Sequence, residues 1–427
     1  MPGSYCPAFD RYGFNSSRKM GIISVPMLIN AITTPVIRRR IFIAVFGLAA
    51  YAGVAISILY PAMLLALFAV TGRGRLVGLG TMALIAVPAV LLLFLFPLRN
   101  RFRFPLRCSV ACLAGAGICL YLICYILTPN GRNVPGASLT GHYTAPARYR
   151  RYSLANLVPE IDQLMLGAVI LPRIDPYFDH EQAQQVRKKF LKIYRALRAS
   201  DQFNQVGSVL GFTYRDLLFN DRSGAHFYAY IPTAPANTQL PVLLFIHGSL
   251  GNFKGYMWVW KAFADEHGFA ILAPTFGTGD WNKDGGLASI NAVRDYCESN
   301  PRLKTNELYL AGLSNGGLGA LAAARARPEA YRGLILLSAV QDTALFTDPD
   351  FLRSWRRKPV LVLHGEQDRR IPLEIVNACA IEMHKRGMNV SVRYYEGEDH
   401  FLLFSQPLTV MDDIAGWIQA QQRQTSL

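Results

Sequence analysis

The chain has 427 residues, 51% of them hydrophobic, and a formal net charge of +15. Residues 1–133 hold 13 Lys and Arg against a single acid, Asp10, so +12 of the +15 lies there and the rest of the chain is close to neutral. Nucleic-acid binding needs a basic face on a folded domain, and this distribution excludes it.

Residues 1–40 read as a cytoplasmic N-terminal segment. Met20 to Ile37 is uncharged, but its two prolines, two threonines and asparagine suit an interfacial position better than a fourth span. Three stretches without any charge follow, 41–70, 76–98 and 108–131, and each is long enough for the roughly 20 helical residues that cross a bilayer core. They predict a three-helix transmembrane region over 41–131, the first helix tilted, kinked or extended because it is long and carries Pro61. Arg38, Arg39 and Arg40 precede the first span; Arg99, Arg101, Arg103 and Arg107 separate the second from the third. The positive-inside rule puts both clusters in the cytoplasm and everything after Gly131 on the far side, periplasmic or extracellular in a bacterium. No cleavable signal peptide is expected. Four of the seven cysteines lie in the third span, where they pack as small apolar residues; no disulfide between Cys297 and Cys379 is expected, and no Cys or His spacing suggests zinc.

Residues 132–206 form a linker, Tyr- and Arg-rich at first. Val186, Phe190, Ile193, Tyr194 and Leu197 then recur at helical spacing among basic residues, which predicts an amphipathic helix over His180 to Ala199 packed on the following domain. From 207 to 427 strand and helix patterns alternate, as in a mostly parallel sheet covered on both faces. Strands are expected at Ser208–Phe219, Phe227–Pro232, from Pro241, at Phe269–Pro274, before Ser314, at Gly333–Ala339, from Pro359 and at Asn389–Tyr395. Helices are expected at Lys254–His267, Leu287–Ser299, after Ser314 to Arg327, at Pro372–Arg386 and from Gln406 to Gln421.

Three strand ends carry chemistry. Leu308-Tyr-Leu-Ala-Gly-Leu-Ser-Asn-Gly-Gly317 is an apolar strand, a G-x-S-x-G turn and a small-residue helix start, which lifts the Ser314 hydroxyl to a sheet edge. Pro241-Val-Leu-Leu-Phe-Ile-His-Gly-Ser-Leu-Gly251 ends in a His-Gly-x-x-Gly turn; the other two strands end at Asp368 and His400. The order serine, acid, histidine fits one catalytic triad, with Asp342 left open as an alternative acid. His247 and His364, each before a glycine at a strand end, read as structural.

At these residues the chain resembles the α/β-hydrolase superfamily, and within it the esterases related to dienelactone hydrolases and polyhydroxybutyrate or feruloyl esterases. The resemblance covers about Gly207 to the C-terminus. It implies the α/β-hydrolase fold, an eight-stranded sheet antiparallel only near its start with helices on both faces, here preceded by a transmembrane helical region. It also implies Ser314 as nucleophile, His400 as base, Asp368 as its orienting acid, and an oxyanion hole from backbone amides at Asn315 and at Ser249 or Leu250. No metal or cofactor is expected. Leu250, Trp258, Trp260, Phe276 and Trp281 are candidate pocket residues beside a site left open unless the linker helix or the membrane covers it.

The expected function is a membrane-anchored serine hydrolase cleaving a small-molecule, lipid or polymer ester through an acyl-enzyme. A serine peptidase or acyltransferase on the same fold and a non-catalytic anchored scaffold are the alternatives.

Overall fold

A computed structural model describes residues 35–95, 103–129, 131–143, 154–213, 226–235, 237–283 and 285–425. The chain forms two compact units, Met1–Ile58 and Leu59–Leu427. The expectations for residues 20–34, and for the arginines at 99, 101, 148, 150 and 151, lie outside the described residues.

Helix α1, Pro35–Phe68, runs unbroken through Pro61. In the first unit its Phe42 and Phe46 rings stack at 6.1 Å and stay largely exposed. In the second unit α1 ends at Phe68 and is followed by α2, Gly72–Leu95, and α3, Arg103–Leu127. Glycines let these helices approach. A Cβ at Gly78 would come 2.5 Å from the Ala66 nitrogen of α1, and one at Gly117 would come 2.8 Å from Leu84 of α2. Small residues at such crossings let helix backbones approach closely. Ala49–Phe68 and Cys108–Leu127 are long and apolar enough to cross a membrane, with mean hydropathies of 1.9 and 2.4.

The sheet is mixed and, among the described residues, eight-stranded, in the order β1-β2-β4-β3-β5-β6-β7-β8. The strands are β1 Leu139–His142, β2 His226–Tyr230, β3 Leu240–Ile246, β4 Ala270–Thr275, β5 Leu303–Leu313, β6 Gly333–Leu337, β7 Val360–Gly365 and β8 Val390–Tyr395. β2 is antiparallel to both β1 and β4, and every later pairing is parallel. This is an α/β-hydrolase type of fold. Its first strand differs from the expectation: residues 210–213 are helical, 214–219 lie outside the described residues, and the edge strand is Leu139–His142, inside the segment read as linker.

Period-two alternation sorts the sheet into two cores. Leu243, Phe245, Ala311 and Leu363 face one side, where α5 (His180–Arg198), α6 (Lys254–His267) and α10 (Pro407–Thr425) pack. Val242, Leu244, Leu310 and Val362 face the other, covered by α7 (Gly286–Ser299), α8 (Gly316–Ala326) and α9 (Leu373–Lys385). Strands buried on both faces read as near-continuous apolar runs, which is why β3, β5 and β7 stand out in the sequence.

The segment before the sheet's second strand adds α4, Glu160–Ile170, and the amphipathic α5, which buries Val186, Phe190, Tyr194 and Leu197 on the domain. The carboxylate of Glu160 is buried where α4, α5 and α6 meet. It accepts from the Lys254 amide at 2.7 Å and from the hydroxyls of Tyr194 and Ser208. Two residues on, Asp162 reaches the turn between α1 and α2. It accepts from the amides of Val70 (2.6 Å) and Thr71 (3.2 Å) and from the Thr71 hydroxyl, satisfying donors that the start of α2 leaves unpaired.

Candidate active site

The C-terminal ends of parallel strands, where the chain turns into helices, are where open α/β sheets bind ligands. Four such ends converge here, those of β3, β5, β7 and β8.

After β5 the backbone at Ser314 takes φ 52°, a left-handed conformation that a serine adopts only when its surroundings enforce it. The turn is enforced by close packing: a Cβ at Gly316 would sit 2.8 Å from the His247 carbonyl and closer still to that of Ile246. The Ser314 carbonyl accepts from the amides of Gly317 and Val340, both at 2.9 Å, which fixes the turn against α8 and the segment after β6.

The Ser314 hydroxyl lies 3.0 Å from His400 Nε2, and His400 Nδ1 lies 2.7 Å from Asp368 Oδ2. Asp368 is buried, and its other oxygen accepts from the amides of Arg370 (2.9 Å) and Ile371 (3.0 Å). Burial alone would raise the Asp368 carboxyl. The hydrogen bond and charge of His400, the Ile371 amide and His364 outweigh it, and hold the group below the ordinary carboxylate value. The structure thus brings together Ser314, His400 and Asp368. Asp342 stands apart on an exposed turn, accepting from the Ala344 amide at 3.0 Å.

The turn after β3 runs against the same serine. Gly248 packs so closely that a Cβ there would sit 2.9 Å from the Ser314 Cβ. Leu250 takes φ 76°, unusual strain for a branched residue, and its side chain is exposed. His247 is wholly buried and holds this turn. Its Nδ1 donates to the Gly248 carbonyl at 2.7 Å while Nε2 accepts from the Phe276 amide at 3.2 Å, and burial lowers its pKa to about 4. Asn252, also buried, donates to the Ala273 carbonyl at 3.0 Å. Among the described residues no protein acceptor takes the amides of Ser249, Leu250 or Asn315, while the Asn315 side chain donates to the Ser249 hydroxyl at 2.8 Å.

A cavity of about 510 Å3 opens from Ser314 and His400. Leu250 lines it, whereas the aromatic candidates do not. Trp281 is buried, donating its indole N–H to the His247 carbonyl at 2.8 Å, and Phe276 packs 5.7 Å from it. Trp260 is buried against Phe245, and Trp258 sits edge-on to Phe203. The walls come instead from α4, α5, the short helical turn Leu402–Ser405 and the residue capping α6, with Leu164, Ala168, Phe190, Phe404 and Phe253 prominent. The site is therefore covered by the segment read as linker. The apolar residues of Leu164 to Leu171 were the signal for it, indistinguishable by sequence from an ordinary core helix.

The family model of the dienelactone hydrolase family matches residues 275–415, a span containing Ser314, Asp368 and His400. With the fold, this match supports a hydrolase of the α/β-hydrolase type. Est1E from Butyrivibrio proteoclasticus is similar at 21% identity, with a TM-score of 0.38 over 46% of this chain and 95% of that one. An S-formylglutathione hydrolase from Agrobacterium tumefaciens is 16% identical, with a TM-score of 0.38 over 45% and 88% of the two chains. A fluorophosphonate-binding serine hydrolase of Staphylococcus aureus is 15% identical, also at 0.38, over 46% and 91%. No curated protein matches the chain.

Proposed function

We propose that this chain is a membrane-anchored serine hydrolase that cleaves carboxylic esters through an acyl-enzyme. The observation carrying the proposal is the continuous relay from Ser314 through His400 to Asp368, at 3.0 and 2.7 Å.

In that reaction His400 Nε2 takes the Ser314 proton as Oγ attacks the ester carbonyl carbon. It then delivers the proton to the departing alkoxide as the C–O bond breaks. Water, deprotonated by the same nitrogen, releases the acid and restores the serine. Asp368 keeps the proton on Nδ1 so that Nε2 is free to accept. The unpaired amides of Asn315 and of the Ser249–Leu250 turn are the donors for the oxyanion, and losing one such donor typically costs about 3–4 kcal/mol of barrier.

The anchor reading rests on the two apolar stretches, of which only 22% and 17% is buried inside the protein, where a soluble core helix would be mostly covered. Asp162 supports the sidedness. Its hydrogen bonds to Val70 and Thr71 hold the catalytic domain beside the α1–α2 turn, the loop that the positive-inside rule leaves outside the cytoplasm.

A fluorophosphonate probe should label the full-length protein in membranes and fail to label Ser314→Ala, which should also lose at least 1,000-fold in short-chain ester hydrolysis, an order of magnitude set by triad removal. Equal labelling of both proteins would overturn the proposal. Protease cleavage after Gly131 from the cytoplasmic face would overturn the topology.

A further inference from the structure

We infer that the cavity beside Ser314 is an acyl-chain site, and that the substrates are esters of an apolar acyl group much longer than acetyl. This deepens the proposed function and rests on Ser314 being the nucleophile.

The first argument is size. About 510 Å3 of space contacts both Ser314 and His400, several times the room needed by an acetyl group, at roughly 30 Å3 for a volume comparable to one water. The second is chemistry. The walls from α4, α5 and the Leu402 turn are aliphatic and aromatic apart from Gln163; Phe190 meets Phe253 edge-on at 5.6 Å and Phe404 at 4.9 Å, which makes a stiff apolar surface. The third is charge. Apart from His400, the charged side chains among the described residues lining the cavity are Asp175 and Arg370, which are ion-paired to each other, while burial raises the Tyr256 phenol and keeps it neutral. Neither is left to recognise a carboxylate, an ammonium or a peptide terminus, so the cavity selects a neutral apolar group.

The fourth argument concerns where the chain comes from. α4 forms a wall through Gln163, Leu164, Gly167 and Ala168, and the Asp162 of the same helix grips the turn at Val70 and Thr71. With α1 to α3 as the proposed anchor, a wall held by the α1–α2 turn puts the cavity at the bilayer surface, from which acyl esters can be drawn. The attacked bond is the acyl ester C–O; the acyl group passes to Ser314 Oγ, the alcohol leaves with the proton from His400, and water later releases the fatty acid.

Gly167 supplies the test. It lines the cavity, a Cβ there meets no atom within 4 Å, and phenylalanine has a better helix propensity than glycine, so Gly167→Phe fills space without breaking α4. Full-length protein in lipid nanodiscs is assayed with p-nitrophenyl acetate and decanoate. Each buried methylene is worth roughly three- to fourfold in binding, so decanoate should exceed acetate in kcat/KM by at least 50-fold. That ratio should fall at least tenfold in Gly167→Phe. Preference for acetate, or a ratio that Gly167→Phe does not alter, overturns the inference.

Binding of a dansyl-labelled undecanoic acid to Ser314→Ala separates the two readings. Saturable binding weakened about tenfold by adding Gly167→Phe supports the site whether or not catalysis is seen, and absence of binding overturns it. Loss of all ester hydrolysis with binding intact would overturn the esterase reading alone. Release of decanoic acid from didecanoyl phosphatidylcholine in the nanodisc would identify the bilayer as the source of the ester, and turnover of the dispersed ester alone would identify a soluble one.

Discussion

Asp368→Asn is the sharpest probe of the relay because the two oxygens of this carboxylate have separate tasks. Oδ1 accepts from the amides of Arg370 and Ile371 at 2.9 and 3.0 Å, and an asparagine oxygen can keep both bonds, so the loop should hold its shape. Oδ2 accepts from His400 Nδ1 at 2.7 Å. An amide NH2 in its place would set a donor against a donor. The imidazole then shifts its proton to Nε2, which donates to the Ser314 hydroxyl where it previously accepted, and the base is lost. The comparable change in a serine protease triad costs about 10,000-fold in kcat, or roughly 5.4 kcal/mol at 1.36 kcal/mol per decade. The assay is steady-state hydrolysis of a chromogenic ester, with thermal unfolding measured alongside. There is a second readout. Asp368 is held below the ordinary carboxylate value in the folded protein, so it contributes stability that is present above that value and is lost as pH falls through the lowered one. Asp368→Asn should therefore flatten that part of the acid limb. Activity within tenfold of wild type in a folded Asp368→Asn protein would refute the triad as drawn.

Gly316→Ala should unfold several degrees below wild type and lose at least 100-fold in activity, because its Cβ meets the backbone carbonyls of Ile246 and His247 and no side chain can yield. An unchanged melting temperature would contradict the close packing of α8 on β3. His247 is neutral in the fold, with its pKa lowered from 6.5 to about 4 by burial, so the unfolded chain takes up the proton first on acidification. Stability is full above pH 6.5 and should fall by roughly 3 kcal/mol towards pH 4, at 1.36 kcal/mol per unit. Denaturant titrations at pH 7 and 4.5, compared with His247→Asn, test this; identical pH dependence in the two proteins would count against it.

The residues that the sequence exposed best are those whose environment is local. Gly312, Ser314 and Gly316 advertise a turn because only glycine fits at 316 beside the Ile246 and His247 carbonyls and at 312 beside the Gly316–Gly317 backbone, and β5 and β7 advertise themselves by uninterrupted apolar runs. α5 was legible for the same reason, its Val186, Phe190 and Tyr194 repeating at the helical period. What depended on which face of the sheet a residue meets was not legible. Trp281 and Phe276 lie near the His-Gly turn in space but pack on the far face with Ile246, while Phe190 and Leu164, a hundred residues upstream, line the cavity. β1 was hidden because Leu139-Thr-Gly-His142 has no strand pattern of its own. It exists through antiparallel pairing with β2, which no short window reveals.

The contact between Asp162 and the α1–α2 turn bears on how this enzyme is prepared. A soluble fragment beginning after residue 131 would strand that carboxylate without the Val70 and Thr71 donors, one position before Gln163 and Leu164 of the cavity wall. The excised protein would keep its nucleophile and its sheet but release the outer wall of its own binding chamber. Its preference among substrates would then be a poor guide to that of the whole chain.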